Sequence, residues 1–182
     1  MAAGTIYGAL VGATVRIIKK FVGVSINMFA RSILGRGKKK SYGPISGVSK
    51  KLKGSDIMND EIYKYANEVK TSGKKIAIYS DSVALYGKGT SEDIDLSYSA
   101  GKVDYSLVFT EELRIKKIDG IYVSQSRYRV DVTVSDVYNF DEYREGFSMG
   151  NILNNFGYDL QKIGIIKPYK WEASYSVYGE WA

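Results

Sequence analysis

Side chains capable of acid–base chemistry or ion binding crowd into one short stretch in the last third of the chain. Six of them form the candidate catalytic set: Asp136, Tyr138, Asn139, Asp141, Tyr143 and Arg144. A carboxylate such as Asp136 can accept a proton or hold a hard cation, and the planar fork of Arg144 suits a pyrophosphate. The alternative is a strand that simply ends in water, with its polar residues solvated or paired with one another.

The composition excludes several kinds of catalytic site. The chain has 182 residues and contains no histidine and no cysteine. Ser-His and Cys-His nucleophilic systems, histidine-liganded zinc and disulfides are therefore absent. Any catalysis has to come from Asp, Glu, Lys, Arg or Tyr, with a hard cation as a possible helper.

A predicted strand positions the candidate set. Residues 128–134 alternate apolar Tyr and Val with polar residues, which is the period of a half-buried strand. Sixteen tyrosines also favour a β-rich body. Further strands are predicted at 75–80, 83–86, 94–98, 103–109, 121–124 and 170–178, with helices from Ser55 and over 147–162. The predicted fold class is α+β: an antiparallel twisted sheet or half-open β-barrel with flanking helices, preceded by a basic, apolar helical arm.

The arm is defined by its charge. Residues 1–55 hold 11 Lys or Arg and no acidic residue, whereas the other 127 residues hold 15 basic and 20 acidic groups. The sequence therefore predicts two parts, an arm and linker over 1–54 and an α+β domain over 55–182. Residues 35–54, with Pro44 and many lysines, are predicted to be a flexible linker.

Glycines recur every four residues near the start of the arm, at Gly4, Gly8 and Gly12. The uncharged run over 1–15 is too short to span a bilayer, and the apolar segments are interrupted only by cations. This pattern is typical of a helix lying on an anionic membrane surface. The predicted membrane-contact residues are Arg16, Lys19, Lys20, Phe21 and Arg31. A buried helical hairpin with solvated cations, or nucleic-acid binding, would also accommodate the pattern.

The last half of the chain resembles a known family. The segment Asp136-Val137-Tyr138-Asn139-Phe140, then Arg144, an apolar helix and a final strand, resembles the activity domain of colicin M-like toxins over residues 102–180. The resemblance implies cleavage of a lipid-linked peptidoglycan precursor at the bacterial inner membrane, with Mg²⁺. It implies that Asp136 is the essential aspartate and a metal ligand, with Tyr138 and Arg144 beside it. Asn139 stands where the family has a second aspartate, and Tyr143 stands where it has histidine.

The leading hypothesis is therefore an antibacterial toxin, secreted or delivered into a target bacterium, that hydrolyses this precursor. Its expected partners are the lipid-linked precursor or an anionic membrane, together with a cognate immunity protein, and nucleic acid is not favoured. The alternatives are a membrane-inserting, depolarising toxin without enzyme activity, a metal-independent ribonuclease toxin and a tethered binding module.

A second acidic cluster consists of Glu92, Asp93 and Asp95. It is expected to be a solvated loop.

Overall fold

One five-stranded sheet organises the protein. The computed structural model describes residues 23–34, 37–85, 101–141, 145 and 149–179. The strands are β1 (Lys40–Tyr42), β2 (Ile76–Ala84), β3 (Lys102–Ile118), β4 (Ile121–Tyr138) and β5 (Tyr169–Gly179). The helices are α1 (Gly23–Leu34), α2 (Gly47–Gly54), α3 (Asp56–Ser72) and α4 (Met149–Lys162). This arrangement confirms the predicted α+β class with a twisted, open sheet and flanking helices.

The order of strands in the sheet is β1-β5-β4-β3-β2. All neighbouring strands pair antiparallel except β1 and β5, which are parallel. β3 and β4 form a long hairpin that closes at Ile118 and Ile121 through a two-residue turn. The turn residues Asp119 and Gly120 have φ angles of 50° and 85°, as the tight turns of β-hairpins require. An Asp-Gly pair is typical of such a turn.

The hydrophobic core lies on one face of the sheet, against the helices. The strands contribute their alternate residues, which are the buried Val103, Tyr105, Leu107, Phe109, Val130, Val132, Val134, Tyr169, Trp171, Ala173 and Tyr175. The helices add Met28, Leu52, Met58, Ile62 and Val69 to the same cluster. Because side chains alternate along a strand, the intervening residues of β3, β4 and β5 lie on the other face, which is mostly polar.

The linker prediction is wrong for residues 40–54. β1 pairs with β5, and α2 begins after Ser46, whose side chain accepts a hydrogen bond from the Ser49 backbone N–H. Three of the lysines that suggested a linker belong to this helix, which buries Val48 and Leu52 in the core. The helix is held further by the Tyr175 hydroxyl, which donates to the carbonyl of Leu52 at 3.4 Å.

The start of α3 follows the prediction, whereas two predicted pairs of strands are merged. The Ser55 side chain caps α3 by accepting from the Met58 N–H at 3.2 Å, and Gly73 ends the helix with φ 64°. The two strands predicted over 75–86 are one strand, β2, and those predicted over 121–134 are one strand, β4. The strand predicted over 94–98 lies outside the described residues.

Candidate active site at the end of the sheet

Asp136 lies within β4, two residues before its end. The sequence-based expectation was a carboxylate just after a strand ending at Val134, and the structure corrects it: pairing with β5 extends β4 to Tyr138. Asp136 thus continues the core-facing row of Val134 and Tyr138, directly opposite the buried Trp171. The register therefore places the carboxylate on the inner face of the sheet, where it is half-buried.

The pKa of Asp136 is raised to about 6, mainly by burial and in part by the negative charges of Asp104 and Asp141. The hydrogen bond that the Val137 backbone N–H donates to Asp136 Oδ1, at 2.6 Å, opposes the rise because it favours the charged form. Within the described ranges, no lysine or arginine forms an ion pair with Asp136. Structural residues seldom show a half-buried carboxylate that lacks a cation partner among the residues described around it, whereas functional sites often do.

Tyr138 is part of the core. It is only 4% exposed, and its ring packs edge-on against Phe140 and tilted against Tyr169, with both pairs of ring centroids 5.5 Å apart. Burial raises the pKa of its hydroxyl above the ordinary value, so the tyrosinate form is disfavoured. Tyr138 therefore packs in the core two residues after Asp136, and the catalytic role given to it stays a prediction.

The remaining predicted residues follow the strand. Asn139 and Asp141 are exposed. The segment between them is tied to α4, because the Phe140 N–H donates to Gln161 Oε1 at 3.1 Å and the Asp141 carbonyl accepts from the Asn154 side chain at 3.3 Å. Of the predicted set, the structure brings Asp141 into the electrostatic environment of Asp136.

Three other groups of predicted residues lie outside the part of the chain that the structure describes. Tyr143 and Arg144 belong to residues 142–144, and Arg16, Lys19, Lys20 and Phe21 belong to residues 1–22, all outside the described part of the chain. The acidic cluster Glu92, Asp93 and Asp95 lies there as well. The roles given to these residues stay predictions.

Arg31 lies against the same end of the sheet. It is on α1, half-buried, with its guanidinium carbon 5.6 Å from the centre of the Tyr169 ring. The Tyr169 hydroxyl donates to the carbonyl of Met28 at 3.2 Å, which fixes α1 to the start of β5. Because Tyr169 also contacts Tyr138, the cation of Arg31 lies at the border of the aromatic cluster of Tyr138, Phe140 and Tyr169. The membrane-contact role given to Arg31 stays a prediction.

Asp104 is the residue that the sequence analysis did not assign to the site. Its partner in the register is Ser135, the residue before Asp136, and its negative charge contributes to the raised pKa of Asp136. The alternation over 103–109 shows only that Asp104 lies on the polar face of its strand. The pairing of β3 with β4 is needed to place Asp104 opposite Ser135, close enough along the sheet for its charge to act on Asp136.

The described residues do not by themselves fit a magnesium site. Asp104, Asp136 and Asp141 share one electrostatic environment, but no group of three or more metal-ligating side chains is found in the described ranges. The metal-ligand role of Asp136 thus stays a prediction. Among the described helices, none is both long enough and apolar enough to cross a membrane.

Comparison with solved structures finds a bacteriocin of similar shape. The chain resembles PaeM, a colicin M-like bacteriocin produced by Pseudomonas aeruginosa, with 15% sequence identity and a TM-score of 0.49. The similar region covers 86% of this chain and 50% of PaeM, so this chain spans half the length of that bacteriocin. No protein-family model matches the chain, and no curated protein matches it either. A likeness of this strength assigns neither a family nor an activity.

Proposed function

We propose that this chain carries the activity domain of an antibacterial toxin that hydrolyses a lipid-linked peptidoglycan precursor at the bacterial inner membrane. The observation that carries the proposal is Asp136: a half-buried carboxylate with a pKa of about 6, at the first position of the segment that resembles colicin M-like toxins. Among the predicted residues that the structure describes, Asp136 is the one whose environment fits its expected role.

The arrangement around Asp136 supports the proposal. The motif resemblance requires a strand before the segment and an apolar helix and a strand after it, and β4, α4 and β5 have this order. Two hydrogen bonds with α4 hold the chain as it leaves Asp136: the Phe140 N–H donates to Gln161, and the Asp141 carbonyl accepts from Asn154. The ring contacts of Tyr138 with Phe140 and Tyr169 fix the end of β4, two residues after Asp136.

The chemistry follows from the pKa. A carboxylate with a pKa of about 6 is mostly ionised at neutral pH, yet it is more basic than an ordinary aspartate, which suits a general base. In the proposed step, Asp136 accepts a proton from water while the water oxygen forms a bond to phosphorus. The bond between phosphorus and the oxygen on the leaving side breaks. Arg144 is the proposed partner of the phosphate charges, and Mg²⁺, where it binds, would neutralise part of the same charge.

The proposal is tested by directing the full chain to the periplasm of a test bacterium. We expect the wild type to cause lysis with a fall in the pool of lipid-linked precursor, and Asp136→Asn to cause neither. Asp60→Asn removes an exposed carboxylate on α3 and is the matched control, which should remain toxic.

The same cultures distinguish the alternatives. Toxicity that survives Asp136→Asn and comes with loss of membrane potential would show a depolarising toxin. Degraded RNA with an intact precursor pool would show a ribonuclease. Either result would overturn the proposed reaction.

A further inference from the structure

The β3–β4 hairpin extends well beyond the rest of the sheet. β2 pairs with β3 only as far as Thr110, and β5 pairs with β4 only from Tyr128 onwards. Residues 113–123, named here the hairpin tip, are therefore a two-stranded ribbon with no third strand beside it among the described residues. The side chains of such a protruding ribbon do not pack in the core. Their types are therefore not set by the stability of the fold and can serve binding.

The hairpin tip is apolar and exposed. Six large apolar side chains within eleven residues are between 42% and 75% exposed: Leu113, Ile115, Ile118, Ile121, Tyr122 and Val123. Soluble proteins seldom expose so many neighbouring apolar side chains unless they bind something. The tip also carries Arg114, Lys116 and Lys117, and its one acidic residue is Asp119 in the turn.

The register shows that both faces of the ribbon are apolar. Leu113, Ile115 and Tyr122 share one face, whereas Ile118, Ile121 and Val123 share the other. A protein partner usually covers one face of a strand pair, and it would leave the second set in water. A lipid interface surrounds a narrow ribbon on both faces, and its anionic head groups complement the three cations.

We propose that the hairpin tip inserts into the interface of an anionic lipid bilayer. The ribbon edges carry backbone N–H and C=O groups without strand partners in the described structure, and such groups cannot enter the hydrocarbon core unpaired. The depth of insertion is therefore limited to the head-group region and the first part of the acyl chains. This contact is separate from Asp136, because Asp136 follows Val123 by thirteen positions along β4, about 40 Å at ~3.3 Å per residue.

Vesicle flotation with the full chain tests the proposal, using vesicles of one part phosphatidylglycerol to two parts phosphatidylcholine. We expect Ile118→Ser/Ile121→Ser to weaken binding about tenfold, since two partly inserted isoleucines are removed. Ile45→Ser/Ile163→Ser removes two isoleucines of similar exposure elsewhere and should bind as the wild type does. Binding should also fall with added salt and on vesicles of phosphatidylcholine alone.

A site-specific label separates the tip from the basic arm, which is also expected to bind membranes. The chain has no cysteine, so Tyr122→Cys carries a single polarity-sensitive dye. Its emission should shift to the blue with vesicles, whereas the dye on Tyr63→Cys, an exposed tyrosine of α3, should not change.

Equal vesicle binding by the tip and control variants, with no shift at position 122, would overturn the proposal. Self-association of the wild type in sedimentation, lost in the tip variant without any lipid effect, would instead show a contact between copies. Neither measurement depends on hydrolysis, so a failure here leaves the proposed reaction untouched. Conversely, a toxin that proves inactive on the precursor could still bind lipid through this tip.

Discussion

Replacing Asp136 by Asn should stabilise the protein at neutral pH and leave its stability unchanged in acid. The pKa of the folded-state carboxylate is raised from the ordinary 3.8 to about 6, mainly by burial. Its contribution to stability is therefore fully present below about pH 3.8 and is lost as the pH rises through about 6. Asn keeps the shape of the side chain and can still accept the Val137 N–H, but it carries no charge at any pH.

The size of the effect follows from the two pKa values. A difference of about 2 pH units corresponds to about 3 kcal/mol at ~1.4 kcal/mol per unit, and this is a ceiling. Because the carboxylate is only half-buried, solvent screens part of the cost. We therefore expect Asp136→Asn to raise the free energy of unfolding by about 1–2 kcal/mol above about pH 7, relative to its effect near pH 4.

Urea unfolding of the wild type and Asp136→Asn at several pH values measures this difference directly. The contributions of the other titrating groups to the pH dependence cancel in this difference, because both proteins contain the same groups. Asp60→Asn, an exposed change of the same chemistry, serves as the control. If the difference between wild type and Asp136→Asn were the same near pH 4 as above pH 7, the carboxylate would not have the raised pKa, and the argument for a poised base would be refuted.

Two further predictions concern the packing around the site. Leu52→Ala should lower the free energy of unfolding by about 2–5 kcal/mol in urea titrations, because the side chain is fully buried, whereas Lys53→Ala on the exposed side of α2 should have little effect. A negligible loss at Leu52 would contradict the packing of α2 on the sheet. Gly157→Ala should cost about 1–3 kcal/mol in the same titrations, since its Cβ would overlap the ring of Phe140, whereas Gly43→Ala has open space around it and should be tolerated. Equal stability of the two alanine variants would show that Phe140 does not pack there.

Local patterns in the sequence predict most of the sheet. The alternation over 103–109 and 128–134 is found in β3 and β4, and the Asp-Gly pair marks the turn between them. These features depend on neighbours along the chain, which is why the sequence reveals them. The intervening part of the hairpin was missed because its exposed Arg, Lys, Ser and Gln obscure the apolar alternation.

The parts of the fold that the sequence did not predict depend on contacts between residues far apart in the chain. β1 exists because it pairs with β5, 131 residues further along, as in the pairing of Lys40 with Trp171. The lysine-rich sequence around it suggested a linker because that pairing is not visible locally. Asp136 breaks the apolar alternation of β4, so it seemed to end the strand, and only its pairing with Trp171 shows that the strand continues. The raised pKa of Asp136 follows from this placement.

Turnover of purified lipid-linked peptidoglycan precursor tests the central claim most directly. Wild type and Asp136→Asn would be compared in parallel, each with magnesium and with a chelator. The account predicts release of the phosphorylated or pyrophosphorylated sugar-peptide by the wild type, with a rate that rises as the pH passes through about 6, and none by Asp136→Asn. A folded wild type without turnover, or an Asp136→Asn variant as active as the wild type, would contradict it.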